Sequence, residues 1–151
     1  RALACGLKCP ELRELSLSLH GTAVADGTGL ALGDSLRSCS KLVKVQLSLH
    51  NTKLSDRGGD ALGAGWKCGE LQDLCLSLHG TTIADVAGVA LGDSLRSCSK
   101  LVKVQLSLHN TKLKDRGGRA VASGLACPGL TDLCLSLHDT DVGDETGKAL
   151  R

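Results

Sequence analysis

Apolar and polar residues alternate in five short stretches of the chain, each ending in a histidine: ELSLSLH from residue 14, KVQLSLH from 44, DLCLSLH from 73, KVQLSLH from 103 and DLCLSLH from 132. A period of two predicts a half-buried β-strand. Leu15, Leu17 and Leu19 then face one way, and Ser16, Ser18 and His20 the other. After Asp26 the spacing turns helical, with Gly29, Leu32 and Leu36 on one face, and it does so again at Gly59, Leu62 and Trp66. The aspartate that opens each helical stretch is expected to cap its own helix by accepting a first-turn N–H. The glycine that recurs before each helix leucine predicts a close approach between neighbouring helices.

These elements repeat. The histidines at 20, 50, 79, 109 and 138 are spaced 30, 29, 30 and 29 residues apart. Cys9, Cys39, Cys68, Cys98 and Cys127 keep the same spacing, as do Thr22, Thr52, Thr81, Thr111 and Thr140, and Asp26, Asp56, Asp85, Asp115 and Asp144. Units of 30 and 29 residues therefore alternate in two flavours, A-B-A-B-A. The segment KLVKVQLSLHNTKL occurs twice, at Lys41–Leu54 and Lys100–Leu113, and the identity extends back to Ala31 and Ala90. One strand, one turn and one helix cannot bury their apolar faces alone, so such units must stack. RALACGLKC at the start matches RAVASGLAC at 119–127. Residues 1–151 are accordingly expected to be one repeat domain taken from a longer array.

Composition narrows the packing and the function. Of 151 residues 42% are hydrophobic, yet only 1% are aromatic, with one Trp and no Phe, Tyr or Met. A core of Leu, Val and Ala suits one packing unit used repeatedly. The net charge of +2, without a basic block, gives no nucleic-acid footprint. No apolar run approaches the roughly 20 residues of a membrane span, and the first ten residues are too short and too polar a stretch for a signal peptide.

The pattern L-x-x-L-x-L in LRELSL (Leu12–Leu17), LQDLCL (Leu71–Leu76) and LTDLCL (Leu130–Leu135), on a 29–30 residue period, resembles the leucine-rich-repeat family, most of all its ribonuclease-inhibitor type. The resemblance covers the whole chain. It implies an α/β fold, a right-handed solenoid or horseshoe with five parallel strands on the concave face and helices on the convex face. It also implies a non-enzymatic protein that recognises a protein partner through the concave sheet. Two departures stand out. Threonine occupies the ladder position after the strand, where the family carries Asn or Cys, so threonine hydroxyls are expected to bond the turn's backbone. Two extra residues, Ser-Leu, also lengthen the strand before each histidine without changing its in/out parity.

The outward rows carry the candidate chemistry. Glu14, Lys44, Asp73, Lys103 and Asp132 alternate in sign, as do Glu11, Lys41, Glu70 and Lys100 before Gly129. Stacked about 4.8 Å apart, such charges attract across coils and are committed to the fold. That leaves Gln46, Ser48, His50, Cys75, Ser77, His79, Gln105, Ser107 and His109 as the centre of the expected protein-binding surface. A Ser–His pair repeated five times lacks the unique third group and oxyanion site of a hydrolase. No metal or cofactor is expected, because two histidines of a straight ladder leave a tetrahedral ion short of ligands. The five-cysteine row reads as small buried hydrophobes. Cys75 and Cys134, two coils apart, are too distant to bridge. A row of five cysteines cannot pair evenly, which predicts that all eight thiols are free and that the setting is cytoplasmic. Alternative readings are a structural or cytoskeletal spacer, a ligand-sensing region of a larger receptor, and a GTPase-activating regulator.

Overall fold

A computed structural model describes residues 9–66 and 68–151. Strands β1 (Glu14–Ser18), β2 (Lys44–Ser48), β3 (Asp73–Ser77), β4 (Lys103–Ser107) and β5 (Asp132–Ser136) alternate with helices α1 (Asp26–Arg37), α2 (Asp56–Gly63), α3 (Asp85–Ser97), α4 (Asp115–Gly124) and α5 (Asp144–Ala149). The strands form one parallel sheet in chain order, with Glu14, Lys44, Asp73, Lys103 and Asp132 in register across it. All five predicted strands are present at the predicted phase. The core lies between sheet and helices: Val45, Leu47 and Leu49 are sealed against Leu32, Leu62 and Leu91. Trp66 is also buried, and its indole N–H is the buried side-chain donor left without a partner among the described residues.

Parallel hydrogen bonding runs past each strand, through the N–H of Leu49 to Ser77 O and of Asn51 to His79 O, both at 2.9 Å. The residue after each histidine then turns the chain. Gly21, Asn51, Gly80, Asn110 and Asp139 all have φ between 51° and 66°. Each threonine hydroxyl behind that turn donates to the carbonyl three residues earlier, at 2.5–2.7 Å, as expected from its place in the repeat.

The aspartates do not cap their own helices. The residues at the N-caps are Ala25, Ser55, Ala84, Lys114 and Gly143, none with a side-chain cap bond, and each aspartate is the first helical residue. From that position the carboxylate points along the stack to the next coil. Asp26 accepts from the Ser55 N–H at 2.7 Å and its hydroxyl at 2.6 Å. Asp56 takes the N–H groups of Ala84, Val86 and Ala87, and Asp85 those of Lys114 and Gly117. Asp115 does the same for Gly143 and Thr146. Every helix start after the first is thus served by a neighbouring coil, which links local capping to the stacking of the array.

Helix packing follows the glycines only in part. A Cβ on Gly29 would lie 2.5 Å from Gly58 O, and one on Gly33 or Gly92 would run into the carbonyl of Ala61 or Ala120. Gly59 and Gly118 instead face side chains, and a Cβ on Gly147 would meet nothing. Backbones approach closely from each A-type to the following B-type helix, and also at Gly63, where a Cβ would lie 2.9 Å from Leu91 N of the next A-type helix.

The cysteine row needs a correction. Cys39, Cys68 and Cys98 are buried, but Cys127 is half-buried and Cys9 exposed. The three buried thiols belong to coils with a described neighbour on both sides. Among the described residues no disulfide forms, and Cys5 lies outside them.

Candidate functional site

The nine residues expected at the centre of the binding surface come together on the outer face of β2, β3 and β4. Gln46, Cys75 and Gln105 form one row in register, and Ser48, Ser77 and Ser107 the next. Gln46 is exposed, and the other eight residues are half-buried. Close strand spacing explains this, since each side chain covers part of its neighbour.

Beyond the serines, all five histidine rings stack. Ring centroids lie 4.6, 4.3, 4.2 and 4.2 Å apart from His20 to His138, with interplanar angles of 7–16°. These spacings are shorter than the roughly 4.8 Å between parallel strands. Outward side chains that converge in this way describe a face concave along the stack. Serine hydroxyls hold the rings: Ser18 lies 2.7 Å from Nδ1 of His20, Ser48 2.8 Å from His50 and Ser107 2.9 Å from His109. Ser77 and Ser136 approach His50 and His109 from the following coil at 3.4 and 3.3 Å. With Nδ1 so engaged, Nε2 of these rings is the nitrogen turned away from its protein partners.

Burial lowers the pKa of His50 and His79 from the usual imidazole value. Charge on neighbouring rings lowers it further, from His20 and His109 for His50, and from His109, His50 and His138 for His79. Two unit charges about 4 Å apart repel by about 1 kcal/mol in water and about 4 kcal/mol at an effective dielectric of 20. A charge on one ring therefore disfavours a charge on the ring stacked against it. Stacked rings also direct their lone pairs side by side, so they cannot converge on one ion. Among the described residues no group of three His, Cys, Asp or Glu is placed to hold a metal.

The charged rows close the coil interfaces. Lys41 binds both carboxylate oxygens of Glu11 at 2.9 and 2.7 Å, and Lys100 those of Glu70 at 2.7 and 2.8 Å. In the other row Lys44 meets Asp73 at 3.7 Å and Lys103 meets Asp132 at 2.8 Å. Among the described residues, each of the four interfaces carries one inter-coil ion pair, drawn alternately from the two rows. The Asp132 carboxylate raises the pKa of Lys103 through its hydrogen bond and its charge. These pairs are exposed, so each contributes little individually.

On the opposite side, α2, α3 and α4 line a hollow of about 560 Å³, with Val86 and Val89 flanked by Asp60 and Arg116. Neither the hollow nor the left-handed turn residue after each histidine belongs to the expected site. The turn residue could have been found, because Gly, Asn, Gly, Asn and Asp are the types that tolerate positive φ.

No family model matches the chain, and no curated protein does. The fold has solved counterparts. The chain is similar to a structure described as leiomodin-1 actin-binding site 2, with a TM-score of 0.64 and 14% identity over 95% of this chain and 79% of that one. A structure of the internalin inlF from Listeria monocytogenes aligns at a TM-score of 0.39 and 17% identity, over 93% of this chain and 46% of that one. The alternating strand–helix coils and single five-stranded parallel sheet define a leucine-rich-repeat solenoid. Among the described residues no helix is long and apolar enough to cross a membrane.

Proposed function

We propose that the chain is a protein-recognition scaffold, and that its partner docks on the concave sheet around Gln46, Ser48, His50, Cys75, Ser77, His79, Gln105, Ser107 and His109. The observation that carries this reading is the ordered state of the surface before any partner arrives. Stacked rings and serine–histidine bonds already restrict these side chains. A partner that binds them loses little further rotamer freedom, and such preorganisation favours association. The lysines and carboxylates nearby pair with one another, which leaves a neutral hydrogen-bonding lattice for contact. The leiomodin structure, named for an actin-binding site, supports a protein partner as a class for this fold. The 29–30 residue period favours the ribonuclease-inhibitor subtype of repeat.

Photo-crosslinking tests the reading. Benzoylphenylalanine at Gln46 or Gln105 should yield one discrete protein adduct in extract at neutral pH, competed away by the unlabelled chain. The same group at Arg57, on the helix side, should not. Equal labelling from both sides would favour the spacer reading instead.

A further inference from the structure

We propose that the histidine ladder is a binding edge for a carboxylate-rich protein segment, which docks with uptake of protons. The proposal rests on the sheet-face reading above and names the partner's chemistry. Three observations support it. Five rings stand in one row at 4.2–4.6 Å, all of the same titratable type. His50 and His79 face only other histidines as charged neighbours, while Asp139 lies beside His138 at 2.9 Å. Of the two lysine and carboxylate rows, the nearer sits six residues back along each strand, about 20 Å away. The inner rings thus have no carboxylate of their own to balance a proton.

The bonding around each ring permits protonation without rearrangement. A serine hydroxyl both donates and accepts, so Ser48 at Nδ1 of His50, or Ser107 at Nδ1 of His109, keeps its bond whichever tautomer or charge the ring carries. The proton is taken from solvent onto a ring nitrogen, and the resulting imidazolium presents Nε2–H outward. A carboxylate placed there makes a charge-assisted hydrogen bond and offsets the repulsion between rings. By linkage, a ligand that raises these pKa values binds more tightly as pH falls. With one proton taken up at each of the two inner rings, His50 and His79, affinity should change on the order of a hundredfold across the histidine range.

The test uses poly-L-aspartate and the whole chain. Calorimetry at about pH 5.5 and about pH 7.5, each in two buffers of different ionisation enthalpy, gives affinity and the number of protons taken up. Tighter binding at the lower pH, with about two protons absorbed, is expected. The variant with His50→Gln, His79→Gln and His109→Gln should lose both effects. Single His79→Gln should lose part of the proton uptake, and it serves if the triple variant fails to fold, as judged by circular dichroism. Arg116→Gln with Arg119→Gln, which removes two helix-side cations, should change neither. Binding independent of pH, proton uptake that persists in the histidine variants, or binding lost only with the arginines would each overturn the proposal. An adduct at Gln46 that survives such a result would leave the sheet-face reading standing and remove only the acidic partner.

Discussion

The carboxylate of Asp56 accepts the backbone N–H of Ala87, 31 residues on, at 2.8 Å, and so caps a helix to which it does not belong. The same carboxylate takes two further N–H groups of that helix start, from Ala84 and Val86. A negative charge at a helix N-terminus also meets the positive end of the peptide dipoles. Local capping and coil stacking are therefore one interaction. Replacing Asp56 with Ala should cost about 1–2 kcal/mol, read from the denaturant midpoint of Trp66 fluorescence. Asp34→Ala, on the exposed helix surface, should cost much less. Equal costs would mean that the cross-coil cap contributes nothing.

Glycine substitutions should split by position. A Cβ at Gly33 meets the Ala61 carbonyl, so Gly33→Ala should destabilise by about 1–3 kcal/mol as overpacking does. Gly27 lies in the first turn of α1 with nothing within 4 Å of a new Cβ. There Gly27→Ala should be neutral or stabilise by up to about 1 kcal/mol through the unfolded chain. Chemical denaturation of both variants distinguishes contact from propensity, and the reverse order would contradict the packing described.

Acid should weaken the fold in two stages. His50 and His79 have depressed folded pKa values, so the unfolded chain binds protons first as pH falls. Stability is intact above the unfolded value of about 6.5 and declines below it. Asp26 and Asp115 act lower. Burial pushes Asp26 up, but the hydroxyl and N–H of Ser55 and the N–H of Gly58 together outweigh it, and its pKa is lowered. For Asp115 the Gly143 N–H leads, followed by the Thr146 hydroxyl. Their contribution is present above about pH 4 and is lost as pH falls through the depressed values. A melting series from about pH 8 to pH 5 should slope in the parent and be flatter with all five histidines changed to Gln. Identical slopes would show that the rings titrate independently of folding.

Thiol reactivity should follow the coil position. Burial raises Cys68 to about 11, and the neighbouring Cys98 and Cys39 thiols add to the shift. Cys98 is also raised by burial. Cys9 and Cys134 are exposed. Mass spectrometry after brief iodoacetamide treatment should find Cys9 and Cys134 alkylated before Cys39, Cys68 and Cys98, because burial shields the latter three from the reagent and the raised pKa of Cys68 and Cys98 leaves less thiolate there. Rapid labelling of Cys68 in folded protein would place the corner row outside the core.

Periodicity alone fixes the strands, since ELSLSLH and its copies admit one phase with leucines inward. It also aligns the histidines, although their 4.2–4.6 Å spacing reflects a convergence that strand spacing does not supply. The reach of the aspartates is not set by periodicity. Asp26 has the residue type and position of a cap, but sequence offset does not tell whether a carboxylate reaches its own N–H groups or those of the coil alongside. The half-burial of Ser77 and His79 likewise depends on neighbours a coil away. In the repeat pattern the position after histidine is open, yet Gly, Asn or Asp there marks the turn that ends every strand.

The two-row arrangement of ion pairs has a consequence for how such a chain can grow or shrink. Glu11–Lys41 and Glu70–Lys100 join an acidic coil to the basic coil after it, while Lys44–Asp73 and Lys103–Asp132 join a basic coil to the acidic one that follows. Excising the second coil alone would set Glu14 beside Asp73 and Glu11 beside Glu70, with like charges facing at one strand spacing. Excising or duplicating a doublet leaves every junction as it was. Recombination within the array is thus constrained to even steps, and the heritable module is the pair. The identical segments at Lys41–Leu54 and Lys100–Leu113, 59 residues apart, are one such step.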